Sequence, residues 1–407
     1  MATELIESKL RVLIVDDSAV VRSVIQRIIE REPGFQVVGT ARDGQMAIER
    51  CRELRPDIVT LDVEMPVLDG LSALPGLIEC NRDLSVLMVS SLTVRGAKET
   101  IDALMKGAFD YIAKPSQAES REEALAQFSA VLVPKLRAMA DRKRFSMPVI
   151  RVLGASIAPR PNRASLPVRP VESRVLIPSR NSLAPRNESI RSGERQPLVR
   201  DSIPVRSEPR VLAIGSSTGG PAALSTILCA LPSDFSLPIL IAQHMPETFT
   251  RLLAERLSEV SRFNVREAVP GEQLRPGEAW IAPGNHHVTV ARAAGDRLIL
   301  GLNSDPPVNC CRPSIDVLFQ SLAESVGRHT LAVVLTGMGH DGRDGASAIR
   351  AAGGLVLAQD EASSVVWGMP GAVVTAGLAN GVYPLDQLAG ELAQRARAGR
   401  ALARSGS

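Results

Sequence analysis

The sequence predicts an α/β protein, two doubly wound parallel-sheet domains joined by a flexible linker. Three observations predict it. In two separate regions, short apolar runs of strand length alternate with amphipathic stretches of helix length, the pattern of parallel sheets covered on both faces. Between those regions periodicity disappears and Pro, Ser and Arg dominate. The 407 residues are too many for one compact domain and enough for two separate cores.

The first domain is expected over residues 9–130, with RVLIV, FQVVG, DIVTL, VLMVS and FDYIA as its strands. After the first strand, Val20, Val21, Val24, Ile25, Ile28 and Ile29 recur at three and four residues, giving a helix one apolar face to lay on the sheet. Residues 131–209 are expected to hold a helix end and then a Pro/Arg/Ser-rich linker, as in RPNRASLPVRPVESR. Prolines there remove backbone donors, and sparse apolar residues cannot offset chain entropy. The second domain is expected over 210–396. Its strands and strand exits are RVLAIGSS, LPILIAQH, EAWIAPGN, LAVVLTGMG and GGLVLAQD, and its helices include AALSTILCAL, FTRLLAERLSEV and SIDVLFQSLAES.

Composition narrows the function. Hydrophobic residues make up 45% and charged residues 22%, as in ordinary globular proteins. Aromatic residues are only 3% and net charge is +3, which argues against a nucleic-acid binder built on stacking rings or a strong basic field. Five cysteines, without paired metal-ligand spacing, fit a reducing cytoplasm. No secretion signal and no apolar run of membrane-spanning length is read, so no membrane insertion is expected.

Parallel sheets gather chemistry beyond the carboxyl ends of their strands. In the first domain, Asp16 and Asp17 follow one strand and Asp62 follows another, which brings three carboxylates together. Such crowding is costly unless a cation lies among them. Magnesium suits the all-oxygen set of Asp17, Asp62 and the Glu64 backbone carbonyl. Ser90 ends the fourth strand and Lys114 precedes Pro115 after the fifth. A carboxylate beside a divalent ion, a hydroxyl and an ammonium group is what accepting a phosphoryl group requires. VDDSAVVR, TLDVEMPVLDG, VSSLT and YIAKP resemble the receiver domain of two-component response regulators. The resemblance implies a flavodoxin-like fold, Asp62 as phosphoacceptor, Asp16 and Asp17 on Mg2+, Ser90 and Lys114 on the phosphoryl group, Tyr111 as switch aromatic, and a histidine kinase as donor.

In the second domain, Gly215-Ser216-Ser217-Thr218-Gly219 satisfies G-x-S-x-G between a strand and a helix. The same turn could bind a phosphate on backbone amides, but the Gly-Lys-Ser/Thr ending of a P-loop is absent. A serine nucleophile needs a base. His244, His286 and His340 leave strands at the right rim, whereas His329 precedes its strand. Asp341 and Asp344 share an exit with His340, and spacing does not choose between His244 and His340.

IGSSTGGPAAL, AQHMPETFT, WIAPGNHHV, PPVNCCRPSIDVLF, LTGMGHDGRDG and AQDEASSVVWGMPGAV together resemble the catalytic domain of the chemotaxis protein-glutamate methylesterases, the CheB family. That implies a Rossmann-like methylesterase domain with Ser217 as nucleophile, His244 as base, Asp341 as orienting acid, and the backbone amides of Thr218 and Met338 as oxyanion hole. Ser216 stands where many relatives carry alanine, and His340 where asparagine is common. The implied activity is a phosphorylation-gated serine hydrolase acting on glutamate methyl esters, and on certain glutamines, of methyl-accepting chemoreceptors, with no cofactor needed for the esterase chemistry. A DNA-binding output would need a recognition helix, and none is read. A catalytically dead adaptor would lack a triad member, and all three positions are filled.

Overall fold

The structure, a computed structural model, describes residues 9–81, 83–91, 93–114, 121–145 and 208–405. Most of the expected linker, and Pro115 of YIAKP, lie outside the described residues. Among the described residues the chain builds two parallel sheets and one antiparallel hairpin.

The first sheet contains β1 (Leu10–Val15), β2 (Phe35–Ala41), β3 (Ile58–Asp62), β4 (Ser85–Ser90) and β5 (Asp110–Ala113) in the order β2-β1-β3-β4-β5. This is the flavodoxin-like order. The connecting helices are α1 (Ala19–Ile29), α2 (Gly44–Leu54), α3 (Gly70–Cys80) and α4 (Val94–Met105), and α5 (Arg121–Phe145) closes the unit. The strands are apolar on both faces, so each face is buried by helices. Val12 and Ile14 pack with Ile25 and Ile29 of α1 and Leu132 and Leu136 of α5. Leu13 and Val15 pack instead with Ala47 of α2, Leu74 and Leu77 of α3 and Ile101 of α4.

The second sheet has seven strands. These are β6 (Val211–Ser216), β7 (Ile239–Gln243), β8 (Asn264–Glu267), β9 (Glu278–Ile281), β12 (Thr330–Val334), β13 (Leu355–Gln359) and β14 (Gly381–Tyr383), in the order β14-β13-β12-β6-β7-β9-β8. Strands β10 (His287–Ala293) and β11 (Arg297–Asn303) form the separate hairpin. Helices α6 (Gly220–Ala230) and α7 (Glu247–Val260) follow β6 and β7, α8 (Ile315–Ser325) precedes β12, and α9 (Arg343–Ala351), α10 (Met369–Thr375) and α11 (Leu385–Ser405) complete the domain. Strand β6 alternates cleanly: Leu212 and Ile214 join the core that holds Leu224 and Phe249, while Val211 and Ala213 join the one that holds Phe319 and Ile349. Because the chain winds outward from β6 in both directions, the crevice at the carboxyl ends of β12, β6 and β7 is the topological switch point.

The core on the α2–α4 face of the first sheet continues without a break into the α6–α7 face of the second. Helix α4 lies against α6 and α7. No described helix is long and apolar enough to cross a membrane.

Candidate active site

In the first domain the acids predicted at strand ends converge. Ligand oxygens of Asp16, Asp17 and Asp62 lie within 4.8 Å of one another. Asp16 and Asp62 are buried, and burial pushes Asp62 up to about 6, with Asp16 adding to the rise and Lys114 opposing it. Lys114 Nζ stands 3.0 Å from Asp16 Oδ2 and 2.7 Å from Asp62 Oδ2. These are charge contacts; neither oxygen gains a properly directed hydrogen bond from them. Buried carboxylates left in that condition, with an exposed third acid beside them, fit an added cation. The exposed Glu64 accepts through its side chain from Ser91, and no described backbone bond engages its carbonyl. The Ser90 hydroxyl donates to Ser91 O at 3.0 Å and accepts from Thr100 at 2.8 Å. Tyr111 stacks on Phe249 of α7, centroids 4.5 Å apart.

In the second domain the elbow after β6 is tight for steric reasons. Gly219 has φ of 77°, and a Cβ there would come within 2.6 Å of Val365. A Cβ on Gly220 would meet the Gln243 side chain at 2.0 Å. That glutamine separates the two candidate serines. Ser216 is fully buried and its hydroxyl donates to Gln243 Oε1 at 2.6 Å, whereas Ser217 is half-buried at the rim. Thr336 braces the turn, accepting from Val366 N and donating to Thr218 O at 2.9 Å each. Among the described residues, neither the Thr218 nor the Met338 amide donates to a protein acceptor.

His244 leaves β7 beside this turn, its amide donating to Ser216 O at 3.1 Å. Its Nε2 bonds Asp341 Oδ2 at 2.8 Å and its Nδ1 faces Cys311 Sγ at 3.5 Å. No described bond joins the imidazole to Ser217. Asp341 is 2% exposed and accepts from five groups: His244, the Ile315 and Asp316 amides at the start of α8, the Ser314 hydroxyl and the Asn309 amide. Burial alone would raise its pKa; these bonds, His244's foremost, hold it well below the usual carboxylate range. Burial likewise opposes charge on His244, yet the bonds to Asp341 and Cys311 raise it to about 9. The other histidines are elsewhere. His340 is exposed, His286 bonds the carbonyl of Gly284, and His329 binds Glu208 O at the amino end of β12. His287 is buried and accepts from Ser314 N. Asp344 is exposed beside Arg343.

The response regulator receiver profile matches residues 12–126 and the CheB methylesterase profile residues 212–392. The chain is 43% identical over 392 residues to the protein-glutamate methylesterase/protein-glutamine glutaminase of Maricaulis maris, with 96% of each chain covered. The chain belongs to the CheB methylesterase family. A second relative, from the group 2 operon of Rhodopseudomonas palustris and bearing the same name, is 45% identical and covers 93% of this chain and 92% of its own. Among solved structures, the Thermotoga maritima CheB methylesterase catalytic domain is 40% identical, with a TM-score of 0.45, over 46% of this chain and 98% of its own. The response regulator domain of Thermotoga maritima CheB is 44% identical, with a TM-score of 0.30, over 33% of this chain and 97% of its own.

Several residues of this CheB-family site escape sequence reading. Asn309 bridges Asp341 and Asp316, and Asp316 itself, pushed up to about 6 by burial and by the Asp341 charge, caps the Gly345 amide behind the site. Asp110 accepts from the Thr218 hydroxyl at 2.6 Å and pairs with Lys135. The helix-start motif PSID signals Asp316; no local signal reveals Asp110.

Proposed function

We propose that the chain removes methyl groups from glutamate methyl esters of chemoreceptors and deamidates particular receptor glutamines, in the cytoplasm, and that phosphorylation at Asp62 switches it on. The observation that carries this reading is the buried His244–Asp341 pair at the carboxyl rim of the sheet, beside the half-buried Ser217 of a G-x-S-x-G elbow. The proposed division is a receiver over 9–130, a helix end and linker over 131–209, and the esterase over 210–396.

With Nε2 committed to Asp341, Nδ1 of His244 is the nitrogen available to a substrate-loaded Ser217. His244 accepts the Ser217 proton at Nδ1 as Oγ attacks the ester carbonyl. The oxyanion meets the amides of Thr218 and Met338, which have no other acceptor among the described residues. Collapse expels methanol, or ammonia from a glutamine amide, protonated by His244; water then resolves the acyl-enzyme by the reverse route. Asp341 keeps the imidazole oriented and stabilises its charged form.

Control follows from contacts between the domains. Thr218, next to the nucleophile, is buried under Asp110 of β5, and Tyr111 is stacked on Phe249. The receiver thus covers one side of the elbow. Asp16, Asp17, Asp62 and the Glu64 carbonyl would hold Mg2+, which when bound offsets negative charge on the transferring phosphoryl oxygens. Lys114 contacts the same oxygens, and Ser90 leaves its present partners to reach them. Tyr111 then shifts, weakening the stack on Phe249 and freeing the elbow. The donor is a chemotaxis histidine kinase.

Methanol release from methylated receptor membranes, with and without a phosphodonor, tests the reading. Ser217→Ala is expected to lose about 10⁴-fold or more in turnover. Undiminished release by that variant defeats the nucleophile assignment.

A further inference from the structure

The imidazole of His244 has a neighbour that ester hydrolysis does not use. Cys311 Sγ lies 3.5 Å from Nδ1, the ring nitrogen that does not bond Asp341. Thiol, imidazole and carboxylate gather in one compact cluster, with ligand atoms within 4.8 Å of one another. That is the connectivity by which a base and its orienting acid activate a nucleophile, here with sulfur in the serine's place. The loop is held firmly. Cys311 N donates to Val308 O at 2.9 Å and Cys311 O accepts from Val308 N at 3.1 Å. The next residue, Arg312, is fastened to Asn285 and to the carbonyls of Ser304 and Asp305. Three residues on, Ser314 supports Asp341 itself. One loop therefore carries both the support of the carboxylate and the thiol.

The remaining cysteines lack this setting. Cys51 is buried, Cys80 bonds Gly76 O, Cys229 bonds Val260 O, and Cys310 is exposed; among the described residues only Cys311 bonds an imidazole.

We infer that Cys311 is a covalent modification site, a thiol activated by His244 and Asp341 and oxidised by hydroperoxides, whose oxidation takes the esterase's base out of use. The inference rests on His244 being that base. In the step, Nδ1 takes the S–H proton and the sulfur attacks one peroxide oxygen. An S–O bond forms as the O–O bond breaks, and the departing hydroxide takes the proton and leaves as water. Sulfur gives up two electrons and peroxide gains them, leaving a sulfenic acid. Its added oxygen lies against Nδ1, the nitrogen that Ser217 needs. A low-molecular-weight thiol reverses the change: one molecule displaces the oxygen as water to give a mixed disulfide, and a second restores Cys311.

General-base removal of the S–H proton as the sulfur attacks is worth at least about tenfold in rate. The test treats the full-length protein, with phosphodonor and Mg2+ present, with iodoacetamide or hydrogen peroxide. Modified cysteines are mapped by peptide mass. Cys311 is expected to alkylate about tenfold faster than Cys229 or Cys310, and His244→Gln to abolish the difference. Peroxide is expected to remove most of the methanol release and dithiothreitol to restore it. Cys311→Ala and Cys311→Ser, each compared with its own untreated rate, are expected to resist. Alkylation of Cys311 no faster than of Cys310, or peroxide inactivation of both variants to the wild-type extent, overturns the inference. Labelling is read by mass and needs neither a variant nor esterase activity. Slow labelling in a protein whose Ser217→Ala form is inactive therefore defeats the thiol alone, whereas fast labelling in one whose Ser217→Ala form still releases methanol defeats the esterase assignment alone.

Discussion

Replacing Asp341 by asparagine keeps the volume of the site and removes its charge. The carboxylate accepts from five donors and donates to none, and both oxygens are engaged. An amide has one acceptor end. Turning its NH2 toward Ile315 N and His244 Nε2, or toward Ser314, Asn309 and Asp316 N, sets donor against donor in a buried space. His244 then loses the partner that fixes its tautomer, and a fall of about 10⁴ in kcat, or about 5 kcal/mol of barrier, is expected by analogy with the serine-protease triad. The same change alters titration. On the proposed assignment the base works in its neutral form, so kcat/KM rises as pH climbs through the His244 pKa, which is about 9 in the wild type. Without the carboxylate that midpoint moves toward acid. Stability carries the matching sign. A histidine raised to about 9 contributes about 3 kcal/mol that is fully present below pH about 6.5 and is lost as pH rises through 9. The gap in Tm between wild type and Asp341→Asn should therefore narrow across that interval. Methanol release between pH 6 and 10 with saturating phosphodonor, paired with calorimetry over the same range, measures both. A variant that keeps a tenth of wild-type turnover, or the wild-type midpoint, refutes the orienting role.

Thr218→Val keeps the backbone amide and deletes the hydroxyl bonded to Asp110. One charge-assisted hydrogen bond is worth about 1.5–3 kcal/mol, so basal release without phosphodonor should rise by about tenfold or more; an unchanged basal rate shows that this contact does not restrain the enzyme. Asp62→Asn should abolish the increment that a phosphodonor produces, and a surviving increment in parallel assays would place the phosphoacceptor elsewhere. Gly219→Ala forces a side chain into left-handed backbone and against Val365, and should cost about 2 kcal/mol or more in denaturant unfolding.

Much of this architecture is legible because parallel strands announce themselves as short apolar runs and their exits collect function. Asp16, Asp62, Ser217, His244 and Asp341 can each be placed at a rim from pattern alone. Choices within a rim are harder. Asp341 and Asp344 leave the same exit, and the approach of His244 and of the α8 amides distinguishes the first from the second. Ser216 and Ser217 are neighbours in sequence, and Gln243 on the adjacent strand separates their roles. The hairpin of β10 and β11 stands outside the parallel sheet, so a search for alternating parallel strands passes over it. The bond between Asp110 and Thr218 joins residues 108 apart, beside two different sheets, and the approach of Cys311 to His244 spans 67. Such contacts arise from docking and loop closure, which local periodicity does not encode.

The stack of Tyr111 on Phe249 has a consequence for the receptor as well as for the enzyme. If substrate and the docked receiver domain exclude each other, coupling is reciprocal: whatever factor phosphorylation adds to substrate affinity, a bound receptor substrate adds to the equilibrium occupancy of Asp62. At phosphotransfer equilibrium, methylated receptor would therefore raise the phosphorylated fraction of this protein above that reached beside bare receptor.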